Sequence, residues 1–382
     1  MKSSLKILVV PGWYPSKFNP YNGDFVQEQA RGIRKSGVDI SVIYANLDYR
    51  YGVVGFVKKR TFKVEDNVPV FRLDGFGWPK KNKWALDRWT KSFMTLYGDY
   101  VAQNGKPDIL HAHSFWGGYV AMQLSQKHGV PYVYTEHFTG ILQDNIPTWQ
   151  LDLYAKVYSR ARKVISVSHE LSRKIKSKFG IDCVVLPNFI DTQLFALKKM
   201  SNQKPRRFIG VGDLVARKRF DLSIKAINLL RRDGCDVELV IVGSGEKEVE
   251  LKQLAHRLGC EQNIIFKGRL TFTQVAAELQ AADIFLLSSD VETFGIVLVE
   301  AMSCGLPVVA TDCYGSRDIV TKETGILVSR NDANRLAEAM SLMITGYAEY
   351  STKKIRNYAN QNFGFDSVIQ RLKTLYQDVI NE

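Results

Sequence analysis

The sequence predicts an α/β protein made of two Rossmann-like, doubly wound domains, each a parallel sheet with helices on both faces. Three observations support this fold class. The chain has 382 residues, too many for one ordinary core and enough for two domains of roughly 150–200 residues. Short apolar segments alternate with helical segments along its length. A polar stretch without periodicity, residues 197–205, interrupts the alternation, which then restarts.

The first half of the chain begins with a strand and continues as alternating strands and helices. The turn over residues 11–15 leads through Gly23 into a helix that ends near Gly37. An amphipathic helix is predicted over residues 84–104, and an irregular loop over 138–148. The predicted strands are residues 7–10, 39–45, 108–111, 132–135 and 163–167.

The second half repeats the alternation and ends in a helix over residues 367–381. Its predicted strands are residues 208–211, 237–242, 264–267, 284–287, 308–310 and 325–329, and its other helices are 221–232, 246–258, 273–282, 295–305 and 332–345. We expect an N-terminal domain over 1–196, a C-terminal domain over 197–365, and a last segment, 366–382, that crosses back to the N-terminal domain. The cleft between two such domains is the default place for a ligand.

Composition places the chain among globular proteins, because 45% of its residues are hydrophobic and 24% are charged. The sequence contains neither a signal peptide nor a run of about 20 apolar residues, so we expect a cytoplasmic protein without a membrane span. The five cysteines are scattered without metal-ligand spacing, which favours reduced thiols that fill the core.

More than half of the net charge of +13 lies in one basic and aromatic segment. Between Arg50 and Lys91 there are eleven basic residues against four acidic ones, a net charge of +7, interleaved with tyrosine, phenylalanine and tryptophan. This composition fits an anionic bilayer surface, and it fits equally a solvated, lysine-rich face with the aromatic rings packed inward. Nucleic acid is a weaker interpretation, because no helix-turn-helix, zinc or RNA-binding signature accompanies the charge.

Residues 290–311 carry a chemical pattern in addition to a structural one. They predict a helix N-terminus near Gly295 beside the carboxyl end of a strand, where doubly wound sheets bind ligands. The first amides of that helix suit a phosphate, Glu300 suits the hydroxyls of a ribose, and Glu292 would face another part of the same ligand. The alternative is that Glu292 only caps the helix and Glu300 is solvated. Because Glu300 lies in an apolar run, where an unpartnered carboxylate is costly, the pattern favours function.

Several motifs together resemble one known family over nearly the whole chain. In the second half they are the Glu292 to Glu300 spacing with the following Ala-Met-Ser-Cys-Gly-Leu-Pro-Val-Val-Ala, and residues 186–195, 241–246 and 266–268. In the first half they are residues 11–16, 23–26, 107–113 and 135–137. The set resembles the GT-B-fold retaining glycosyltransferases with the E-x7-E motif, which are family 4-like glycosyl transferases group 1.

The resemblance implies a role for each matching residue. Lys218 would neutralise the leaving diphosphate, where charge develops as the glycosidic bond breaks. Glu292 would lie near the transferred sugar, Glu300 would hold the donor ribose, and His137 would lie near the reacting sugar and the acceptor. A core role for His137 stays open, and we expect His113 to brace its loop. The donor sugar and diphosphate would also contact the amides of Phe294, Gly295, Ile296 and Val297, and Gly23 would let them approach the backbone closely. Gly243, Gly268 and Arg269 would lie around the base. His113 and Phe138 would lie on the acceptor side.

One residue departs from the family pattern. The family usually has arginine after the glycine at position 212, where this chain has Asp213. An acid beside a diphosphate is unfavourable. We therefore expect Arg217 or Arg219 to supply the second positive charge, unless the donor site is altered.

The resemblance implies a metal-independent enzyme without a cofactor, acting at the inner surface of the membrane. It would move a sugar from a nucleotide diphosphate to a lipid-linked or saccharide acceptor with retention of configuration, in cell-surface polysaccharide or glycolipid synthesis. The rival hypothesis is a non-catalytic sugar-nucleotide-binding or scaffold subunit of a polysaccharide assembly complex. A dehydrogenase is disfavoured, because no Gly-x-Gly-x-x-Gly follows the first strand.

Overall fold

The computed structural model describes residues 5–53, 58–77, 82–198 and 207–382. They belong to two compact units, one comprising Met1–Leu186 and Ile369–Glu382 and the other Pro187–Val368. Each unit contains one sheet with its own helices, so the predicted α/β class with two sheet domains is confirmed. The units divide after Leu186, whereas a boundary after residue 196 is expected from the sequence. Most of the predicted linker lies outside the described residues, as do Phe56, Trp78, Lys80 and Lys81 of the basic and aromatic segment.

The N-terminal unit contains a sheet of eight strands. In chain order they are β1 Lys6–Pro11, β2 Asp39–Leu47, β3 Lys59–Glu65, β4 Val68–Gly75, β5 Ile109–His113, β6 Tyr132–Glu136, β7 Lys163–Ser166 and β8 Val184–Val185. Their order across the sheet is β3-β4-β2-β1-β5-β6-β7-β8. The central strands are buried on both faces, which is why β1 reads in the sequence as a continuous apolar run, while β5 and β6 also bury polar residues.

An antiparallel hairpin at the edge of this sheet corrects the purely parallel sheet that the sequence predicts. Strand β3 pairs antiparallel with β4, and only Asp66 and Asn67 separate them. Both residues have positive φ, 48° and 67°, as a type I′ turn requires in a two-residue hairpin. The hairpin lies within the basic and aromatic segment, for which no strand was expected.

Seven described helices of the N-terminal unit come from the first half of the chain. They are α1 Asp24–Lys35, α2 Arg50–Val53, α3 Lys83–Asn104, α4 Ser114–His128, α5 Thr139–Leu142, α6 Thr148–Arg160 and α7 His169–Phe179. Side-chain caps fix where two of them begin, because Asn82 accepts from the Ala85 amide and Ser168 accepts from the Leu171 amide. The loop predicted over residues 138–148 is wrong in part, since it contains α5 and the start of α6.

The C-terminal unit contains a six-stranded parallel sheet. Its strands are β9 Arg207–Val211, β10 Glu238–Val242, β11 Ile264–Gly268, β12 Ile284–Leu287, β13 Val308–Thr311 and β14 Gly325–Val328. The order is β11-β10-β9-β12-β13-β14, the doubly wound order in which the chain runs outward from β9 in one direction and from β12 in the other.

The helices of this half complete the unit and then return to the first one. They are α8 Phe220–Arg232, α9 Glu248–Arg257, α10 Phe272–Ala281, α11 Ile296–Ser303, α12 Tyr314–Ile319, α13 Ala333–Thr345, α14 Thr352–Phe363 and α15 Phe365–Asn381. Helices α12 and α14 were not predicted. The buried faces of α8 and α13 share one apolar core, where each fully buried leucine or isoleucine stabilises the fold by about 1.5–3 kcal/mol.

The last helix belongs mainly to the N-terminal unit. The Tyr376 hydroxyl lies 2.6 Å from His111 Nδ1, and Lys373 Nζ donates to the Ser36 carbonyl over 2.6 Å. Tyr376 is fully buried. Helix α15 therefore fills part of the interior of a unit to which it is joined by a contact between residues 265 positions apart.

Candidate functional site

Each sheet has a topological switch point at which neighbouring strands leave the chain in opposite directions. In the C-terminal sheet this point lies between β9 and β12, and in the N-terminal sheet between β1 and β5. The loops that follow two such strands diverge, so the carboxyl ends of the strands are where doubly wound sheets bind ligands. Lys218 lies after β9 and Glu292 after β12, while His113 ends β5 and His137 follows β6.

Lys218 and Glu292 form a buried ion pair at the C-terminal switch point. The Lys218 Nζ lies 2.6 Å from Glu292 Oε1, and the Ser289 hydroxyl donates to the same carboxylate oxygen over 2.7 Å. Burial alone would raise the pKa of Glu292, but the attraction of Lys218 and the two hydrogen bonds hold that pKa below its ordinary value. Two residues to which the resemblance gives catalytic roles are thus in direct contact.

Hydrogen bonds join the loop after β9 to the loop after β12. The Asp290 amide donates to the Arg217 carbonyl over 2.9 Å, and the Ser288 hydroxyl donates to the Lys218 carbonyl over 3.0 Å. The charge of Arg217 also contributes to lowering the pKa of Glu292. A 3₁₀ turn ends at Lys218 and is followed by Arg219 at φ 50°, a conformation that costs a non-glycine residue about 1–3 kcal/mol and that the joined loops sustain.

Helix α11 begins beside this ion pair. Gly295 is its N-cap, with φ 95°, and the amides of Ile296 and Val297 in the first turn have no acceptor within the helix. Phe294 is buried with its ring 5.7 Å from the ring of Phe363. The side chain of Glu300 is buried one turn further on, so the alternative in which Glu300 is solvated is wrong.

Glycines allow backbone segments to approach each other closely at both switch points. A Cβ atom on Gly243 would lie 1.9 Å from the Gly212 carbonyl oxygen, and the Gly243 amide donates to the Gly268 carbonyl over 2.8 Å. In the N-terminal unit Gly23 has φ 74°, and a Cβ atom there would lie 2.4 Å from the Trp13 carbonyl oxygen. A side chain at Gly243 or Gly23 would therefore force the backbone apart.

Asp213, the acid that departs from the family pattern, has a basic partner in Arg269. Arg269 also donates to the Ser244 hydroxyl over 3.3 Å. Arg219 is held by Asp221 through two hydrogen bonds of 2.9 and 3.1 Å. Arg269 therefore offsets the negative charge of Asp213, a pairing that the sequence did not suggest. A role for Arg217 or Arg219 toward a diphosphate stays a prediction.

Three histidines stand side by side at the carboxyl ends of β5 and β6. The rings of His111 and His113 stack with centroids 4.3 Å apart, and His113 Nδ1 lies 3.1 Å from His137 Nε2. The Gly12 amide also donates to the His113 carbonyl over 2.9 Å, which ties the loop after β1 to β5. Burial lowers the pKa of His113 to about 3 and the pKa of His111 and of His137 well below the ordinary value, so all three imidazoles are neutral at pH 7.

Glu136 holds the backbone that carries His137 and Phe138. Its fully buried carboxylate accepts from the amides of His137 and Phe138 over 2.8 Å each, and from the hydroxyls of Tyr134 and Tyr158 over 2.5 and 2.8 Å. Burial raises the pKa of Glu136 in spite of these four donors. The sequence interpretation missed this role, although an acid at the end of an otherwise apolar strand was the available sign of it.

Two other kinds of feature are absent from the described part of the chain. No group of three or more His, Cys, Asp or Glu side chains within it could hold a metal ion. No helix within it combines the length and the apolar character that crossing a membrane requires.

Two family models match the chain, one in each half. Residues 23–194 match the model described as Glycosyltransferase Family 4, and residues 193–362 match the model described as Glycosyl transferases group 1. The two matches meet near the division between the two units.

Known relatives include proteins named for teichuronic acid biosynthesis and for the mannosylation of a phosphatidylinositol monomannoside. TuaC of Bacillus subtilis, a glycosyltransferase assigned to teichuronic acid biosynthesis, is 28% identical over 358 residues that cover 88% of each chain. The GDP-mannose-dependent monoacylated alpha-(1-6)-phosphatidylinositol monomannoside mannosyltransferase of Corynebacterium glutamicum is 34% identical over 194 residues, which are 46% of this chain and 50% of that one.

Solved structures share the fold over almost the whole chain. Sucrose-phosphate synthase from Thermosynechococcus elongatus superposes with a TM-score of 0.80 at 19% identity, covering 99% of each chain. Anabaena HepE in complex with UDP and glucose superposes with a TM-score of 0.76 at 18% identity, covering 98% of this chain and 100% of that one. With this fold, and with family matches that together run from residue 23 to residue 362, the chain belongs to the family 4-like, group 1 glycosyltransferases of the GT-B fold.

Proposed function

We propose that the protein transfers a sugar from a nucleotide diphosphate to a lipid-linked or saccharide acceptor, with retention of anomeric configuration, in the synthesis of a cell-surface polysaccharide or glycolipid. The observation that carries the proposal is the buried ion pair of Lys218 and Glu292 beside the N-terminus of α11. The donor class is supported by relatives, since HepE is bound to UDP and glucose and the Corynebacterium enzyme is named for GDP-mannose.

In the proposed reaction the bond between the anomeric carbon and the phosphate oxygen breaks, and a bond to the acceptor hydroxyl oxygen forms. The acceptor proton passes to the departing phosphate oxygen. Because negative charge develops on the diphosphate, Lys218 would exchange its partner from Glu292 to the phosphate, and the first amides of α11 would donate to it. Glu292 would then face the transferred sugar, and Glu300 would hold the ribose hydroxyls.

On the acceptor side we propose that His137 contacts the transferred sugar. Its pKa is lowered by burial, so it would act as a neutral hydrogen-bonding group and not as a cation. Since Nε2 is shared with His113, Nδ1 is the ring nitrogen offered to a sugar hydroxyl. Phe138 would pack against the acceptor from the same loop.

The test is a screen of UDP, GDP, ADP and their sugar conjugates by thermal shift and calorimetry. A donor site predicts that nucleotides of one base stabilise the protein, by about 2.7 kcal/mol when the ligand is at 100 times its Kd. Glu300→Gln is expected to weaken this stabilisation. Glu338→Gln is the matched control, because its carboxylate is exposed on α13 and pairs only with a neighbouring arginine across one turn of that helix in the described contacts.

Product analysis separates the enzyme from the rival scaffold subunit. An active enzyme is expected to hydrolyse the donor slowly without acceptor and to transfer with it, and NMR of the product is expected to show the anomeric configuration of the donor. Nucleotide binding without either reaction would favour the scaffold. An inverted product would overturn the retaining mechanism.

We further propose that transfer requires no divalent cation, because Lys218 and the N-terminus of α11 would meet the charge of the diphosphate. Chelation with EDTA is expected to leave the rate unchanged. A rate that falls on chelation and returns with Mg²⁺ or Mn²⁺ would refute this part.

We also propose that the protein acts as a peripheral protein at the inner face of the cell membrane, where a water-soluble donor meets a lipid-linked acceptor. The net charge of +7 between Arg50 and Lys91 supports this location. Cell fractionation is expected to find the protein in the membrane fraction at low salt and to release it at high salt.

A further inference from the structure

A surface groove between β3 and α3 has no part in the proposed transfer reaction. It has a volume of about 380 Å³ and is lined by Lys58, Arg60, Leu73, Lys91, Ser92 and Thr95. None of these six residues belongs to the loops after β1, β5 or β6 that carry the predicted site residues of the N-terminal unit. The groove therefore requires an explanation of its own.

Charge and hydrogen-bonding groups in the groove match an anion. Three of its six lining residues are basic and two carry hydroxyl groups. Asp99 offsets one of the charges, because Arg60 Nη1 lies 2.9 and 3.2 Å from its two carboxylate oxygens. The charges of Lys58 and Lys91 remain, so the net charge of the groove is +2. A phosphate group has the charge and the acceptor oxygens to complete this set.

The geometry of the hairpin explains how these residues come together. Side chains alternate along a strand, so Arg60 and Phe62 share one face of β3, opposite Leu73 and Phe71 of β4 in the register of the hairpin. Helix α3 covers this face, as the contact between the rings of Phe71 and Tyr100 shows. The side chains of Lys59 and Lys63 lie on the other face of the same strand.

Large apolar side chains lie exposed on the strand and helix that form the groove. Phe62 is 49% exposed, Val64 60% and Trp84 62%. Trp84 lies two helical turns before Lys91 on α3, with the Arg88 guanidinium 5.5 Å from its ring centroid. Exposed apolar side chains beside cations are what a surface needs to rest at the headgroup level of an anionic bilayer.

We propose that this groove binds the phosphate of an anionic membrane lipid, while Phe62, Val64 and Trp84 enter the interfacial layer of the bilayer. Lys58 and Lys91 would pair with the phosphodiester, and the Ser92 hydroxyl would donate to one of its oxygens, while the Thr95 hydroxyl donates to the Lys91 carbonyl over 3.3 Å. This inference rests on the proposed membrane location and gives it a defined site, but it does not depend on the identity of the sugar.

The test is co-sedimentation of the whole protein with vesicles of phosphatidylcholine, alone or with equal parts of phosphatidylglycerol, at a salt concentration of about 0.15 M, where the screening length of about 8 Å separates the two faces of the strand. Wild type is expected to bind only the anionic vesicles. The double substitution Lys58→Gln with Lys91→Gln is expected to weaken binding about 30-fold, since each basic side chain near an anionic surface contributes about fivefold. It leaves the Arg60–Asp99 ion pair in place.

A matched control removes the same charge from the opposite face of the strand. Lys59→Gln with Lys63→Gln changes the net charge equally and is expected to weaken binding less than about threefold. Equal weakening by both double variants would mean that general charge, and not the groove, attracts the membrane. Failure of wild type to bind anionic vesicles would also overturn the proposal.

Soluble glycerol 3-phosphate distinguishes a lipid headgroup from a free phosphate. It is expected to compete poorly with vesicles, because it lacks the bilayer that the apolar side chains require. Stabilisation by glycerol 3-phosphate without vesicle binding would assign the groove to a free phosphorylated ligand instead. The Lys58 and Lys91 variant is expected to keep its stabilisation by nucleotide, which shows that it is folded. If the wild-type protein bound no nucleotide, the transferase function would be refuted, but the interpretation of the vesicle experiment would not change.

Discussion

The two units each bury one carboxylate near the end of a strand, and they stabilise it in different ways. In the N-terminal unit Glu136 is held by four neutral donors, two amides and two tyrosine hydroxyls. In the C-terminal unit Glu292 is held by the Lys218 cation and one hydroxyl. Burial raises the pKa of Glu136 in spite of its donors, while the Lys218 cation holds the pKa of Glu292 low against the effect of burial.

This difference indicates that the partners of Glu136 are fixed by the fold, whereas the partner of Glu292 can be exchanged for a ligand. The donors around Glu136 belong to the backbone and to buried rings, so a ligand that displaced them would have to break the fold around it. The partner of Glu292 is a flexible side chain, and an incoming diphosphate can attract Lys218 without moving the backbone. We therefore expect Glu136 to govern stability and Lys218 to govern turnover.

Removing Glu136 is expected to have the largest effect on stability. Glu136→Ala leaves four buried donors without an acceptor, each costing about 1–3 kcal/mol where no water replaces it, and we expect a loss of about 4 kcal/mol in the free energy of unfolding. Urea denaturation measures it. Glu136→Gln keeps one carbonyl oxygen and is expected to lose about half as much. A loss below about 1 kcal/mol for the alanine variant would mean that Glu136 does not organise this region.

Removing Lys218 is expected to reduce turnover more than it reduces binding. Lys218→Ala should lower kcat about 10²–10³-fold, because a positioned donor to the developing charge is lost. Lys252→Ala, on α9 in the same unit, is the control, since its exposed side chain pairs with Glu248 across one turn of that helix. Steady-state kinetics with the donor found in the nucleotide screen measure the effect. An unchanged kcat with a raised KM would mean that Lys218 stabilises the bound substrate and the transition state equally. This result would weaken the contrast with Glu136.

Acidification is expected to unfold the N-terminal unit before the C-terminal unit. The buried histidines have folded pKa values below their unfolded value of about 6.5, so the unfolded chain binds more protons. Their contribution to stability is complete above that value and is lost as the pH falls below it, by about 1.4 kcal/mol per pH unit for each histidine. Glu292, with its lowered pKa, contributes stability that is lost only at lower pH, on crossing the range of carboxyl groups.

Tryptophan fluorescence reports this acid unfolding selectively, because all six tryptophans lie between residues 13 and 149. His111→Gln is expected to reduce the pH dependence of stability by about 1.4 kcal/mol per pH unit between pH 6 and pH 5. A dependence that stays unchanged in this variant would show that His111 titrates normally in the fold.

The exposed pair of Asp213 and Arg269 is expected to matter least for stability. Asp213→Asn and Arg269→Gln should each change the free energy of unfolding by less than about 1 kcal/mol, because solvent screens a surface ion pair. Chemical denaturation of both variants is the measurement. A loss of unfolding free energy as large as that of Glu136→Ala would mean that the exposure of these two side chains does not predict their contribution to stability.

The sequence was sufficient to predict most of the strands and the helix start between Glu292 and Glu300, for a physical reason. Strands buried in a parallel sheet read as apolar runs, as β12 and β13 do. Glu292 and Glu300 stand at a fixed spacing around one helix start. The contact between Lys218 and Glu292 was not predictable, because 74 residues separate them and only the sheet order brings their loops together.

The features that could not be predicted from the sequence depend on an edge strand of the sheet and on hydrogen-bond partners that are distant in the chain. Strand β3 is exposed and carries a mixed polar pattern, so only the Asp66 and Asn67 turn could have indicated the hairpin. The importance of Glu136 depends on Tyr158, which α6 supplies from 22 residues away. Such pairings follow from tertiary structure and leave no local periodicity.

The contact between Tyr376 and His111, 265 residues apart, has a consequence for synthesis on the ribosome. The sheet of the N-terminal unit emerges first, but the helix that fills part of its interior emerges only after the C-terminal unit. The whole C-terminal unit is translated between the two events. Domains generally fold as they emerge, so the second unit to be made is the first that can be completed. Until α15 has emerged, the nascent N-terminal unit would carry an open apolar groove that a chaperone could cover.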